Sequence, residues 1–393
     1  MTMQEKEKEL KAGIYAIKLI GAVLNGECPP AAPQNLDWYA LKSVTEKHCI
    51  SNIAAYAIGK ISEPVPDDIK SYYSEIILQS LAKEAQTDVE ITLLASAFEN
   101  AEIPYMILKG YVIKHLYPQP NMRSMGDVDI LVGENIDKAQ EVMNKCGFSL
   151  KGRENLHDHY IKKPALNVEL HRSLVDEELT EMYSYFGVGF DRARLAEGSQ
   201  YGYELSKEDF YIFLIAHMAK HFKRCGTGIR SVADVWVYNQ AYGKSLNREY
   251  LNVEFEKLGL LKFCQTIEKL SDEWFSKNAD FSLDSVGEYI VFSGVYGNIH
   301  NLELNRFLQA EASDGSYSAN KLKYVLKNIF PGLKYMSARY KTIKKHKFLL
   351  PIFWVIRIFS TLFKSRKNIS YRLKGVTQSD ESDIKKFKDS GLG

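Results

Sequence analysis

The stretch that decides the fold is Ile103–Val132, IPYMILKGYVIKHLYPQPNMRSMGDVDILV. It predicts a buried strand over Tyr105–Leu108, a short helix opening at Lys109-Gly110, a loop, and a second strand carrying Asp127 and Asp129. Pro118 and Pro120 keep the loop from continuing as helix. Side chains two apart on a strand share a face, so Asp127 and Asp129 point one way while Val128, Ile130 and Val132 point the other. An Asp-x-Asp tripeptide alone carries little meaning. Behind an apolar face, however, two adjacent carboxylates gain nothing from packing and repel each other. Divalent cations with oxygen ligands are the simplest way to offset that repulsion.

Downstream, Asn135–Lys145 reads as an amphipathic helix closed by Gly147, followed by short strands over Phe148–Leu150, His159–Lys162 and Leu166–His171. On the last of these, Asn167, Glu169 and His171 alternate with Val168 and Leu170. If that strand pairs beside the aspartate strand, three carboxylates converge, the set used where two metal ions clamp the attacking and leaving oxygens of a transferring phosphoryl group. The helix start at Lys109-Gly110 offers free N–H groups and partial positive charge, which suits a phosphate. Arg123 either reaches that phosphate or pairs with Asp127 or Asp129 when no metal is bound. The His157-Asp158-His159 run is expected to split across the two faces and to serve as strand edge or pocket lining.

Leu108-Lys109-Gly110, Arg123-Ser124, Asp127-Val128-Asp129 and the later acid Glu169 together resemble the polymerase-beta-like nucleotidyltransferase superfamily. Within it, the chain looks most like the bacterial family known as uncharacterised nucleotidyltransferase. The resemblance spans about two thirds of the chain, strongest over residues 103–171 and weaker through His217–Asp234, Tyr296-Gly297 and Phe330–Trp354. It implies an enzyme that moves a nucleoside monophosphate from an NTP to a hydroxyl-bearing acceptor with release of pyrophosphate. Two Mg²⁺ ions, or Mn²⁺, would sit on Asp127, Asp129 and Glu169. The nucleotide would be held by Lys109, Gly110, Arg123 and Ser124, with a polar stripe of His217, His221, Arg230 and Asp234 facing the same cleft. That stripe reads equally as a buried network tying helices together. Most of the superfamily carries Gly-Ser where this chain has Gly110-Tyr111, which removes a hydroxyl contact that Lys109 would have to replace as a point charge. The resemblance allows a small molecule, sugar or protein as acceptor, with nucleic acid less favoured. Alternatives are a toxin-type nucleotidyltransferase of the abortive-infection class acting on tRNA and a degenerate, non-catalytic nucleotide-binding protein.

The rest of the chain frames this core. Its 393 residues are 45% hydrophobic and 25% charged with a net charge of +2, so no global pull toward nucleic acid exists. Five scattered cysteines without a CxxC pair argue for a reducing compartment and against a zinc or disulfide framework. The opening MTMQEKEKELKAG lacks an apolar segment, unlike a secretory leader, and the cytoplasm is the expected compartment. Residues 1–101 read as helical, with a first amphipathic stretch (Leu10, Ile14, Ile17 and Ala22) ended by Pro29-Pro30, a second over Asp37–Gly59 (Leu41, Val44, Ile53 and Tyr56 inward) and a third over Ile69–Asn100 (Ile76, Ile77, Leu81, Val89, Leu93, Leu94 and Phe98 on the apolar spacing). The expected class is α+β: a small mixed sheet with flanking helices over 102–205, a second helical region over 206–372 and a disordered tail over 373–393. His217 and His221 are four apart, but Met218 occupies the glutamate position of an HExxH zinc helix. Finally, Phe348–Phe363 is an apolar run interrupted by Pro351 and Arg357 and flanked by lysines within 344–367. It is too short to span a bilayer comfortably and reads either as a helix docked on the core or as one lying on a membrane surface.

Overall fold

The computed structural model describes residues 2–176, 180–298, 301–302, 305, 326–327, 329–364 and 388–392. The chain opens with α1 (Met3–Asn25), α2 (Trp38–Lys47), α3 (Ser51–Ile58) and α4 (Asp67–Asn100). Thr2 and Glu5 form a capping box at α1, and Asp37 caps α2 through the amides of Tyr39 and Ala40. The single helix expected over Asp37–Gly59 is broken into α2 and α3, because Cys49 takes a left-handed conformation at φ 51°. The His48 side chain beside it is drawn into the core. Along α4 the inward residues are Tyr73, Thr87, Ile91, Leu94 and Phe98, whereas Leu81, Val89 and Leu93 are 45%, 60% and 57% exposed. The buried row is set by the sheet, against which the second half of this helix packs.

The central sheet has the order β1 (Met106–Ile107), β2 (Val128–Leu131), β5 (Leu166–His171), β4 (His157–Lys162), β3 (Ser149–Arg153). Only β2 and β5 run parallel; the other pairs are antiparallel. Helix α5 (Lys109–Lys114) follows β1, and α6 (Ile136–Lys145) crosses from β2 toward β3. Val128, Ile130, Val132, Val168 and Leu170 form one face, packed on Ile91, Leu94 and Phe98 of α4 and on Ala139, Val142 and Met143 of α6. The opposite face is polar. It is capped by α8 (Lys207–Arg224) and α9 (Ile229–Tyr242), reached after α7 (Thr180–Phe186) and a small two-stranded sheet, β6 (Ala193–Leu195) with β7 (Tyr203–Leu205).

Helices α10 (Arg248–Lys257), α11 (Leu261–Phe275) and α12 (Ser285–Ser293) complete a second core. In it Ala16, Ile17 and Ile20 of α1 pack with Phe263, Ile267 and Ile290, so the two ends of the chain share one hydrophobic cluster. Farther on, the helix Leu350–Lys364 is tied down on one side, where Trp354 Nε1 donates to the Pro331 carbonyl at 2.9 Å and its ring meets Phe330 edge-on. Its other side leaves Ile352, Val355 and Phe359, with Phe348 in the turn just before it, more than half exposed. Among the described residues no helix is long and apolar enough to cross a membrane. Of the tail expected to be disordered, residues 373–387 lie outside the described residues; at 388–392, Ser390 and Leu392 are buried and Asp389 accepts a 2.8 Å hydrogen bond from Ser285.

His48 joins three of these helices. Its Nδ1 accepts from the Ile229 amide at 3.1 Å, so Nε2 carries the proton and donates to the Val291 carbonyl at 2.9 Å. Gly228 makes room for it: a Cβ there would lie 2.7 Å from the Val295 nitrogen and 2.9 Å from His48 Nδ1. Full burial holds the His48 pKa down at about 3. Between an unfolded value of 6.5 and that folded one, the unfolded chain binds a proton that the native protein refuses. Stability from this group is therefore complete above the unfolded value and is lost as pH falls toward the folded one. The melting temperature of the protein should drop between about pH 7 and about pH 5 more steeply than that of His48→Gln, measured in parallel by circular dichroism.

Candidate active site

Strand register brings the acids together. Asp129 on β2 stands directly opposite Glu169 on β5, and Glu169 stands opposite His159 on β4. Asp127 lies one residue before β2, on the same side as Asp129. In the next row, Leu131, His171 and His157 follow one another across the sheet. The expected convergence of Asp127, Asp129 and Glu169 is therefore present, on the polar face, where they line a cavity of about 330 Å³.

Their electrostatics follow from crowding. Burial, then the charges of Asp129 and Glu169, push the Asp127 carboxyl well above the usual carboxylate range. Burial works in the same direction on Asp129, but a 2.8 Å hydrogen bond from His171 Nε2 and the charge of Lys109 outweigh it and hold Asp129 low. His171 is raised in turn: burial opposes its charge, yet the two carboxylates beside it prevail. Glu169 has its oxygens divided between neighbours. Oε1 lies 3.0 Å from His159 Nδ1, while Oε2 faces His157 and His171 Nε2 at 3.5 and 3.6 Å. Three carboxylates on one face, with imidazole nitrogens among them, fit a divalent cation as a donor set.

The cations take places that the sequence did not all foretell. Lys109 stands in the cavity wall at the start of α5, its Nζ 2.7 Å from His217 Nε2, which lies 3.2 Å from His221 Nε2. Burial and then the charge of Lys109 keep His217 neutral, and the same causes hold His221 at about 4. Arg123 neither pairs with Asp127 or Asp129 nor projects freely toward a phosphate. It is locked to Asp234, Nε to Oδ1 at 2.7 Å and Nη2 to Oδ2 at 2.8 Å, with Tyr117 donating to the same carboxylate at 2.9 Å. Both partners are nearly sealed from solvent, so Asp234 is committed as well. Gly110 supplies its carbonyl to Arg123 Nη1 at 3.3 Å. Ser124 is not brought into this cavity; it lines a neighbouring pocket, and its carbonyl accepts a 2.9 Å bond from Arg230 Nη1. Arg230 does line the acid cavity, and its Nε is buried without a hydrogen-bond partner. Tyr111 turns away altogether, with its hydroxyl bonded to Asp88 at 3.0 Å.

Sequence reasoning gave His171 and Lys220 no role and gave His157 and His159 no more than strand edge or pocket lining; His157 does line the cavity. His157 and His159 do not split across faces: two residues apart on β4 they share the acid face, and Asp158 between them points into the opposite side, bonded to Arg172 at 2.8 Å. The alternation that joined Asp127 to Asp129 was the signal for them. Lys220 lines the cavity from α8, one turn beyond His217, and only the helix period could have marked it.

An Asp pair at the head of one strand thus stands beside a third acid in register on the parallel neighbour and a lysine at a helix start. The chain belongs to the family described as uncharacterised nucleotidyltransferase, whose model matches residues 34–276. The match takes in α2–α4, where no resemblance was expected, and stops short of the segments at 296–297 and 330–354. No curated protein and no solved structure matches the chain.

The buried Arg123–Asp234 pair generates a prediction. Removing one partner alone, as in Arg123→Met or Asp234→Asn, leaves an uncompensated buried charge or a broken network and should cost about 3–5 kcal/mol in chemical denaturation. The double replacement Arg123→Met/Asp234→Leu should recover most of that loss. The double variant should also keep its affinity for nucleotide, which it would lose if Arg123 were held for phosphate.

Proposed function

We propose that the protein transfers a nucleoside monophosphate from an NTP to a hydroxyl-bearing acceptor, with pyrophosphate leaving. The observation that carries this reading is the register of Glu169 beside Asp129, one residue removed on the same face from Asp127. Divalent ions held by Asp127, Asp129 and Glu169 would neutralise the charge that develops on the transferring phosphoryl group. Lys109 and Arg230, together with Lys220, stand where the polyphosphate would lie, and these three replace Arg123 and Ser124 as its holders. Lys109 suits the task because its hydrogen-bond partner is a neutral imidazole, so its own charge is left for an anion. Glu169 would take the proton of the acceptor hydroxyl, and His159 fixes its carboxylate from behind. Retention of all three acids in register favours an enzyme over a degenerate nucleotide-binding protein, despite Tyr111. Local rather than global positive charge favours a small molecule, sugar or protein acceptor over tRNA.

Incubation of the protein with α-labelled NTPs, Mg²⁺ or Mn²⁺ and a cell extract should label one acceptor class. Asp127→Asn, Asp129→Asn and Glu169→Gln should each lower pyrophosphate release by on the order of 10²–10³-fold with an unchanged circular dichroism spectrum. Full activity in the aspartate variants would sink the reading.

The exposed stripe of Phe348, Ile352, Val355 and Phe359 beside Lys344, Lys345 and Lys347 supports a peripheral membrane contact as a secondary proposal. The protein should co-sediment with anionic vesicles and not with neutral ones, and Ile352→Asp/Phe359→Asp should abolish that; equal recovery of both proteins in the supernatant would refute it.

A further inference from the structure

The imidazoles beside the acids stand around Glu169 as the ligands of one ion would. Glu169 Oε2 lies 3.5 Å from His157 Nε2 and 3.6 Å from His171 Nε2. Both are longer than the usual nitrogen–oxygen hydrogen bond of about 2.7–3.2 Å. Both match the edge of a tetrahedron, about 3.4 Å when its bonds are about 2.0–2.1 Å, as around zinc. His157, Glu169 and His171 each offer one such donor atom, and all three lie within 4.8 Å of one another.

Two further observations bear on the protons these rings carry. His157 Nε2 and His159 Nε2 face each other at 3.0 Å, which leaves room for one proton between them, so at least one of the two nitrogens is unprotonated, the state in which an imidazole ligates a metal. The Nδ1 atoms of His157 and His171 are buried without a hydrogen-bond partner, and His171 Nε2 hydrogen-bonds Asp129 at 2.8 Å through a proton that a bound ion would displace. Meanwhile His159 Nδ1 steadies the far oxygen of Glu169 at 3.0 Å, as an outer partner commonly does for a ligating carboxylate.

We infer that His157, Glu169 and His171 form a site for one divalent transition-metal ion of the zinc or cobalt kind, adjoining the Asp127–Asp129 pair. Imidazole nitrogen favours such ions over Mg²⁺, which prefers an all-oxygen shell and keeps its waters. Asp129, whose Oδ1 is 2.8 Å from His171 Nε2, is the nearest additional donor and would connect this ion to the acid pair. The inference deepens the proposed transfer reaction and rests on it only for the meaning of that connection, since the ligand set stands without it. One of the two ion positions in the reaction would then be occupied by a d-block metal while the other takes Mg²⁺.

The test is metal uptake by the whole chain. Protein stripped with a chelator is titrated with Co²⁺, followed by visible absorption, and with Zn²⁺ by calorimetry, both in excess Mg²⁺. One ion per chain should bind despite the Mg²⁺, with d–d bands of four- or five-coordinate Co²⁺. His157→Gln and His171→Gln should weaken it at least about tenfold, and Asp127→Asn by less than about twofold. His159→Gln alters a side chain one-third exposed, so it should fold even if the buried variants do not, and should weaken uptake several-fold by releasing Glu169. No uptake by the unaltered protein overturns the inference, as does uptake indifferent to the histidine variants or lost equally in Asp127→Asn. Protein that takes up Co²⁺ as described yet never binds an NTP or releases pyrophosphate would uphold this site and sink the transfer reading. Mg²⁺-dependent transfer without Co²⁺ uptake would do the reverse.

Discussion

Everything at the candidate site depends on the parallel pairing of β2 with β5. A parallel ladder fixes which residues stand level, and here it sets Asp129 against Glu169 and Leu131 against His171. Because side chains alternate, a slip of one residue would turn Glu169 into the apolar layer and bring Val168 or Leu170 to the acids. The apolar face prevents that slip. Val168 and Leu170 are completely buried against α4 and α6, so the energy that fixes register comes from the side of the sheet opposite the chemistry. The acids are carried into mutual repulsion by packing that they do not share.

That repulsion is met in layers. His171 hydrogen-bonds Asp129, and Lys109 acts on it through space. Asp127 is left with burial and two like charges, and its carboxyl rises as a result. Arg123, the strongest cation within reach, is withheld from the acids by Asp234 and Tyr117. The withheld arginine ties the loop before β2 to α9, and so places the aspartates without discharging them. A site that neutralised its acids with a resident guanidinium would have little affinity left for a metal ion.

How much of this was legible depends on distance along the chain. The carboxylates, their shared face and the apolar face behind them follow from two-residue alternation, which is local. The third acid required only one non-local assumption, that two short strands pair. By contrast, Arg123 and Asp234 are 111 residues apart, and neither carries a mark of its partner. The joint core of α1 with α11 and α12 is equally silent, since an amphipathic helix shows that it has an inward side but not what lies inside. On α4 the inward side was read only in part: Leu94 and Phe98 are buried, but Leu81, Val89 and Leu93 are not. A helix with apolar residues all round, such as Leu78, Leu81, Val89 and Leu93 outside with Ile91 and Leu94 inside, has its buried row chosen by its neighbours.

The histidines mark a different limit. His157 and His159 obey the same alternation as the aspartates, so their common face was available from local arithmetic. What the strand could not show is that β4 lies next to β5 in antiparallel register, which sets His159 level with Glu169 and His157 level with His171. Without that neighbour two histidines on an edge are ordinary; with it they stand around a carboxylate that already adjoins two others. On the opposite wall, His217 is kept neutral beside Lys109 by burial and by the lysine's own charge. The same side-chain type thus does opposite things on the two walls. Against α8 it supports a cation without cancelling it. Across the sheet it offers nitrogen to whatever cation the acids collect.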